Sequence, residues 1–170
     1  MKGENRPMQL YLLRHGISEE GSPTTADADR ALTAEGRRKL RQVLGQVAES
    51  GIKVDLIISS PLKRAQQSAE IARSCLKCKE DVLFTRALLP GATPEGVWDE
   101  IRAHKAQEAL MLVGHNPLFS DLAGYLMGAN DLRVDFKKAA VMCLDFESVG
   151  PKPRATLCWY LTAGLAGNCE

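Results

Sequence analysis

Three short segments of the sequence each place polar and charged groups directly behind an apolar run. They are Leu12-Leu13-Arg14-His15-Gly16, Ile58-Ser59-Ser60-Pro61-Leu62-Lys63-Arg64-Ala65 and Leu112-Val113-Gly114-His115-Asn116-Pro117. The two arginines Arg14 and Arg64 offer bidentate donors to phosphoryl oxygens. The two imidazoles can serve as nucleophile and as hydrogen-bond donor. Arg64 is expected in the first turn of a helix, beside free backbone N–H groups and the positive end of the dipole, which is a natural anion position. Gly16 and Gly114 remove side chains next to the histidines, so backbone can approach a ligand. A single histidine at a strand end is more often structural than catalytic, because imidazole readily finds backbone partners. Two of them together with two arginines favour a phosphate site.

The elements that must position these groups follow from the apolar pattern. Met8 to Leu13 reads as a buried strand and Gly16 to Arg30 as an aperiodic loop of a length that is often functional. Leu40, Val43, Leu44 and Val47 form one face of a helix that opens at Thr33 and closes at Gly51. Val54 to Ser59 is a second strand. Ser60-Pro61 then supplies an N-cap and a first-turn proline for a helix reaching Cys75. Asp81 to Thr85 is a weaker strand, Pro94 to His104 a short helix, and Ala109 to Val113 another buried strand. A helix follows from Pro117 to about Met127. Lys138 to Phe146 and Ala155 to Thr162 are the last strands, joined by a Gly-Pro-Lys-Pro turn. Alternating strands and helices give an α/β fold with three layers, α/β/α. The sheet is mostly parallel, and the final hairpin forms an antiparallel edge. Ligands of such sheets bind at the carboxyl ends of the strands, where the three segments fall. The chain, residues 1–170, reads as a single domain with a flexible N-terminal segment over residues 1–7.

Composition narrows the partners. The net charge is +1, from 22 basic and 21 acidic residues, which argues against a nucleic-acid binder. No apolar run approaches the roughly 20 residues of a membrane span, and residues 1–7 are polar, with no secretory h-region. Five dispersed cysteines, with one isolated C-x-x-C at Cys75 and Cys78, fit a reducing cytoplasm. A lone pair supplies too few ligands for zinc, so these thiols read as incidental. His104 reads as an exposed residue without a task, and Trp98 and Trp159 as partly buried packing residues.

The three segments, with Ala65-x-Gln67-x-Ala69 after Arg64 and Leu32-Thr33-x-x-Gly36 before the first helix, resemble the histidine phosphatase superfamily, the phosphoglycerate-mutase-like fold. The resemblance runs from about Met8 to Leu126. The short chain is similar to the SixA-type phosphohistidine phosphatases, and Asp29-Arg30-x-Leu32-Thr33 resembles their D-R-P-L-T segment, with Ala31 in place of proline.

The resemblance implies that His15 is a transiently phosphorylated nucleophile, that Arg14 and Arg64 clamp the phosphoryl oxygens, and that His115 is a second donor to them. Gly16, Asn116 and Arg30 are the candidate substrate-binding residues. Glu95 is the candidate general acid, although it equally fits a first-turn helix residue favoured by the dipole. The expected activity is metal-independent and needs no cofactor, because the arginines and His115 supply the positive charge. Without a firmly placed acid, an alkoxide leaves poorly, whereas a phosphorylated imidazole is a good leaving group. The expected substrate is therefore phosphohistidine on a phosphorylated histidine-carrier protein in cytoplasmic signal transduction, with inorganic phosphate as product. The alternatives are a broad-specificity phosphomonoesterase acting on small phosphorylated substrates and a non-catalytic phosphate-binding adaptor. A mutase is disfavoured because the chain has little length from which to build an enclosing cap.

Overall fold

A computed structural model describes residues 7–167. The expected flexible segment 1–7 lies outside them except for Pro7, which is exposed and leads into the first strand.

The first strand, β1 (Met8–Arg14), is buried along almost its whole length, with Leu10, Leu12 and Leu13 fully enclosed. Each such leucine contributes about 1.5–3 kcal/mol on leaving water. Residues buried on both faces suit a central parallel strand. The others are β2 (Leu56–Ser59), β3 (Leu83–Phe84), β4 (Ala109–Gly114), β5 (Val141–Phe146) and β6 (Ala155–Leu161), in the order β3-β2-β4-β1-β5-β6. The first four are mutually parallel, and β5 and β6 complete the sheet antiparallel, as the sequence implied.

One face of the sheet packs against α1 (Ala34–Glu49), α2 (Lys63–Leu76) and the short α5 (Ala163–Ala166). The other packs against α3 (Pro94–Ala103) and α4 (Leu118–Leu126). Leu40, Val43, Leu44 and Val47 form the buried stripe of α1, and Thr33 caps it by accepting from the Gly36 N–H. Gly51 follows the helix with φ of 79°, a left-handed turn that glycine adopts without strain.

Several boundaries move. The helix expected from Pro61 starts at Lys63, and Leu62, which has no capping side chain, takes the N-cap position. Ser60 is engaged elsewhere, as described below. The strand expected from Lys138 starts at Val141, because Ala139 turns the chain with φ of 62°. Trp98 is fully buried, stacking on Phe146 and donating to the Pro151 carbonyl, so it packs the core more deeply than the partly buried residue expected. His104 is half-buried and pairs with Glu100 at 3.3 Å, so it is not the free surface residue expected. The short helix α5 had no signal longer than its four residues.

Gly36 fixes how α1 meets the loop behind β1. A Cβ there would collide with the Ile17 carbonyl oxygen, a backbone atom that cannot swing aside. Gly45, on the same helix, has nothing within 4 Å of its would-be Cβ. Gly36→Ala is expected to lower stability by about 1–3 kcal/mol. Gly45→Ala is expected to raise it by about 0.5–1 kcal/mol. Urea denaturation of the two variants measures both signs.

Candidate active site

The parallel register brings the three segments together. Arg14 lies opposite Gly114 on β1 and β4, and Ser59 lies opposite Val113 on β2 and β4. The chain leaves these strands at one level, and the ladder continues for one residue: His15 N–H donates to the Gly114 carbonyl at 3.0 Å and Ser60 N–H to the Val113 carbonyl at 2.9 Å. His15 and His115 consequently face each other, with ring centroids 5.1 Å apart. Arg64 enters from the first turn of α2, as expected, and is only 4% exposed.

His15 is held in one orientation. Its Nδ1 lies 2.7 Å from the Gly16 carbonyl oxygen, so the proton sits on Nδ1, which donates. Nε2 has no partner among the described residues and carries the free lone pair. Gly16 is fixed in turn, with its N–H donating to Ser68 Oγ at 3.1 Å, and Ser68 donates to the Arg64 carbonyl at 2.7 Å. Thus the backbone that orients His15 is tied to the helix that carries Arg64.

Burial lowers the pKa of His15 to about 4 against the opposing pull of the Gly16 carbonyl, and the charges of Arg64 and Arg14 add smaller effects in the downward direction. Burial takes His115 lower, to about 3, with His15 and Arg64 adding to the effect. Both rings are neutral at neutral pH. His115 Nε2 lies 2.8 Å from Ser60 Oγ, while its Nδ1 is buried without a partner. Arg14 donates to the Phe136 carbonyl at 2.6 Å, and its Nε is buried without a partner, as is that of Arg64. Each unsatisfied buried donor costs about 1–3 kcal/mol. With His115 Nδ1 the two guanidinium Nε atoms make three unpartnered buried nitrogens around one spot, which makes these residues candidates for binding or chemistry.

Arg30 and the clamp are joined through Asp27, a residue the sequence reading passed over. Arg64 donates to the Asp27 carbonyl at 2.9 Å and approaches its Oδ2 at 3.4 Å. Arg30 grips the other carboxylate oxygen, with Nη2 at 2.8 Å and Nε at 3.0 Å. Desolvation pushes the Asp27 carboxyl up, but the Arg30 hydrogen bond and the charge of Arg64 outweigh it and hold it below the usual range. Asp27 is therefore an ionised counter-ion at neutral pH, not a proton donor. Its signal was an acidic residue three positions before Arg30, on an isolated 3-10 turn (Asp27–Asp29).

The remaining candidates are placed differently. The Asn116 Oδ1 accepts from Ser120 N–H and Oγ at 3.1 and 2.8 Å, which anchors the start of α4. Glu95 is exposed in the first turn of α3, and among the described residues it makes no hydrogen bond or ion pair to the site. Ser60, Ser68 and the segment around Phe136 and Ala139 also shape the site without having been singled out. Ala139 N–H bonds the Arg14 and His15 carbonyls at 3.1 and 3.2 Å, which holds its left-handed backbone in place.

The depressed histidines make stability depend on pH. Folded His15 and His115 bind a proton less readily than the unfolded side chains near 6.5. The unfolded chain therefore takes up more protons as the pH falls, and stability present above 6.5 is lost towards pH 4 for His15 and 3 for His115. For His15 alone the loss by pH 4.5 is on the order of 2 kcal/mol. Urea midpoints at pH 7 and 4.5 should converge in His15→Asn by about that amount. An unchanged difference between the two pH values would remove burial of His15 as its cause.

Comparison with known proteins agrees with this geometry. A profile of the histidine phosphatase superfamily (branch 1) matches residues 10–86. An uncharacterised protein of Picosynechococcus sp. (strain PCC 7002) is 30% identical over 144 residues, covering 81% of this chain and 84% of the relative. The structure of the protein histidine phosphatase SixA complexed with tungstate superposes with a TM-score of 0.83 at 21% identity, over 92% of this chain and 98% of the other. A putative α-ribazole-5'-P phosphatase from Escherichia coli K-12 superposes with a TM-score of 0.68 at 20% identity, over 92% and 97% of the two chains. The profile match, the similarity to the relative and the shared architecture lead to one assignment: the chain belongs to the histidine phosphatase superfamily, and its architecture is like that of the compact protein SixA.

Proposed function

We propose that the protein is a phosphatase that removes phosphate from phosphohistidine on a protein. The observation that carries this reading is the state of His15, neutral and oriented by the Gly16 carbonyl, with its Nε2 lone pair free among Arg14, Arg64 and His115. In the first step Nε2 attacks phosphorus as the P–N bond of a substrate ring protonated at its other nitrogen breaks. The electron pair stays on the substrate ring, which leaves as neutral imidazole, while His15 keeps its Nδ1 proton and becomes the phosphorylated imidazolium. In the second step water attacks phosphorus, the P–Nε2 bond breaks, and inorganic phosphate departs while His15 regains its lone pair. Arg14 and Arg64 would hold the equatorial oxygens, where charge accumulates in the transition state. His115 would donate to the same oxygens. The two guanidinium groups carry the positive charge, so the proposed reaction needs no metal and no cofactor.

The choice of substrate rests on the proton. The carboxylate beside the clamp, Asp27, is ionised by its arginines, and Glu95 makes no bond to the site. Proton donation is worth 10²–10⁴-fold where the leaving group is an alkoxide. A phosphoimidazole leaves without that help, and its transfer to His15 exchanges one P–N bond for another. The α-ribazole-5'-P phosphatase with the same fold supports a second reading, a phosphomonoesterase for small molecules.

A phosphorylated histidine-carrier protein should release phosphate when mixed with the protein, with or without chelator. His15→Ala should reduce the rate by more than about a thousandfold. Acid-labile phosphate should be trapped on the wild type during turnover, and its absence with every donor would favour a binding adaptor. Turnover of sugar or nucleoside phosphates far above that of the phosphoprotein would favour the second reading.

A further inference from the structure

Antiparallel strands β5 and β6 are out of regular register at one point. Cys143 pairs with Trp159 and Leu144 pairs with Leu157, so Cys158 is an extra residue, a β-bulge. In a regular strand Cys158 and Trp159 would point to opposite faces. The bulge re-aims Cys158. The Sγ atoms of Cys143 and Cys158 and a carboxylate oxygen of Asp145, two residues along the same face of β5, all lie within 4.8 Å of one another. This cluster is unrelated to the catalytic residues. It flanks Tyr11 and Gln9 of β1, towards the end of the strand away from His15.

The cluster is a set of acids without a base. Cys143 is buried, Asp145 half-buried and Cys158 exposed, so it reaches from the core to solvent. Asp145 Oδ1 is buried with no hydrogen-bond partner, and Asp145 makes no ion pair among the described residues. Burial pushes the Cys143 thiol up to about 12, and the neighbouring Cys158 and Asp145 push it the same way. Burial, then Asp145, also raises the Cys158 thiol. A buried carboxylate oxygen facing two thiols wants a cation, and the sulfur atoms decide which kind.

We propose that Cys143, Cys158 and Asp145 form a binding site for a thiophilic divalent cation of the zinc class, a structural site that fastens the edge strand β6 to β5. Two thiolates and a carboxylate are three of the four ligands of tetrahedral zinc, and the exposed side at Cys158 leaves the fourth position to water. Zinc–sulfur bonds of about 2.3 Å place tetrahedral ligands just under about 4 Å apart, within reach of small side-chain rotations from the observed spacing. On binding, two S–H bonds are replaced by two metal–sulfur bonds, and two protons pass to the buffer. No electron is transferred.

Cobalt(II) titration of the reduced full-length protein tests the site. The expected result is one equivalent bound, with a thiolate-to-cobalt charge-transfer band that zinc displaces, and two protons released per metal. Zinc should also raise the melting temperature of the wild type. Cys158→Ser, at an exposed position that tolerates the change, should weaken cobalt binding by at least about tenfold and lose the zinc-dependent rise. Asp145→Asn should weaken binding while keeping the band, whereas Cys75→Ser should leave both unchanged. Absence of the band from the wild type, or its persistence at equal affinity in Cys158→Ser, overturns the proposal. Phosphatase turnover should be the same in Cys158→Ser as in the wild type, so the test stands apart from the functional reading.

Discussion

Two guanidinium groups and two imidazoles are crowded around one buried point, and most of the site's properties follow from that crowding. Two protonated rings with centroids 5.1 Å apart would repel each other by roughly 3 kcal/mol at an effective dielectric constant near 20. Arg14 and Arg64 add to the repulsion, and burial removes the water that would screen it. The imidazoles can share the site only as neutral rings. A neutral ring must choose a tautomer, and the Gly16 carbonyl makes the choice for His15, leaving Nε2 with its lone pair. Burial is thus what chiefly keeps His15 unprotonated, and the guanidinium charges beside it act in the same direction.

Such a site has to be held by its surroundings, because it contributes no stability of its own. Two supports do most of the holding. One is the parallel register of β1, β4 and β2, which brings His15, His115 and Ser60 to a common level. Leucines, isoleucines and valines buried on both sides of these strands make a slip in register expensive, since it would drive each side chain into the core on the other face, where the packing does not fit it. The other is the chain of contacts from Gly16 to Ser68 to the Arg64 carbonyl, which links the loop after His15 to α2. Gly36 lets α1 close against Ile17 in that same loop. Apolar strands set the positions, and a few small polar residues fix the angles.

The parts of this design carried by side chains were largely legible in the sequence. Continuous apolar runs gave β1 and β4, the stripe from Leu40 to Val47 gave α1, and Arg14, His15, Arg64 and His115 stood out because each follows an apolar strand. The parts carried by backbone or by long-range pairing were not. The Phe136 carbonyl that holds Arg14, and the Ala139 N–H that bridges β1 to the chain before β5, belong to residues whose side chains have nothing to do with the contact. Ser60 reads as an N-cap because a proline follows it, yet its hydroxyl meets an imidazole from another strand. Asp27 lies in an aperiodic loop, and only the fold brings it to Arg64. The bulge at Cys158 is a two-strand property and has no expression in either strand alone.

Asp27 also bears on which leaving groups the site suits. A carboxylic acid near a phosphoryl group can donate a proton only if its pKa is kept near the working pH. Asp27 is treated in the opposite way, gripped by Arg30 through one oxygen and approached by Arg64 at the other, so its proton is withdrawn. The arrangement neutralises part of the cationic charge and keeps Asp27 from serving as an acid. A site built to expel alkoxides would be better served by a carboxyl in apolar surroundings, away from guanidinium groups. Removing the acid costs little where the departing group is an imidazole, which is already stable when it leaves. The pairing of Asp27 with two arginines therefore makes it a counter-ion to the cationic cluster and not a proton donor.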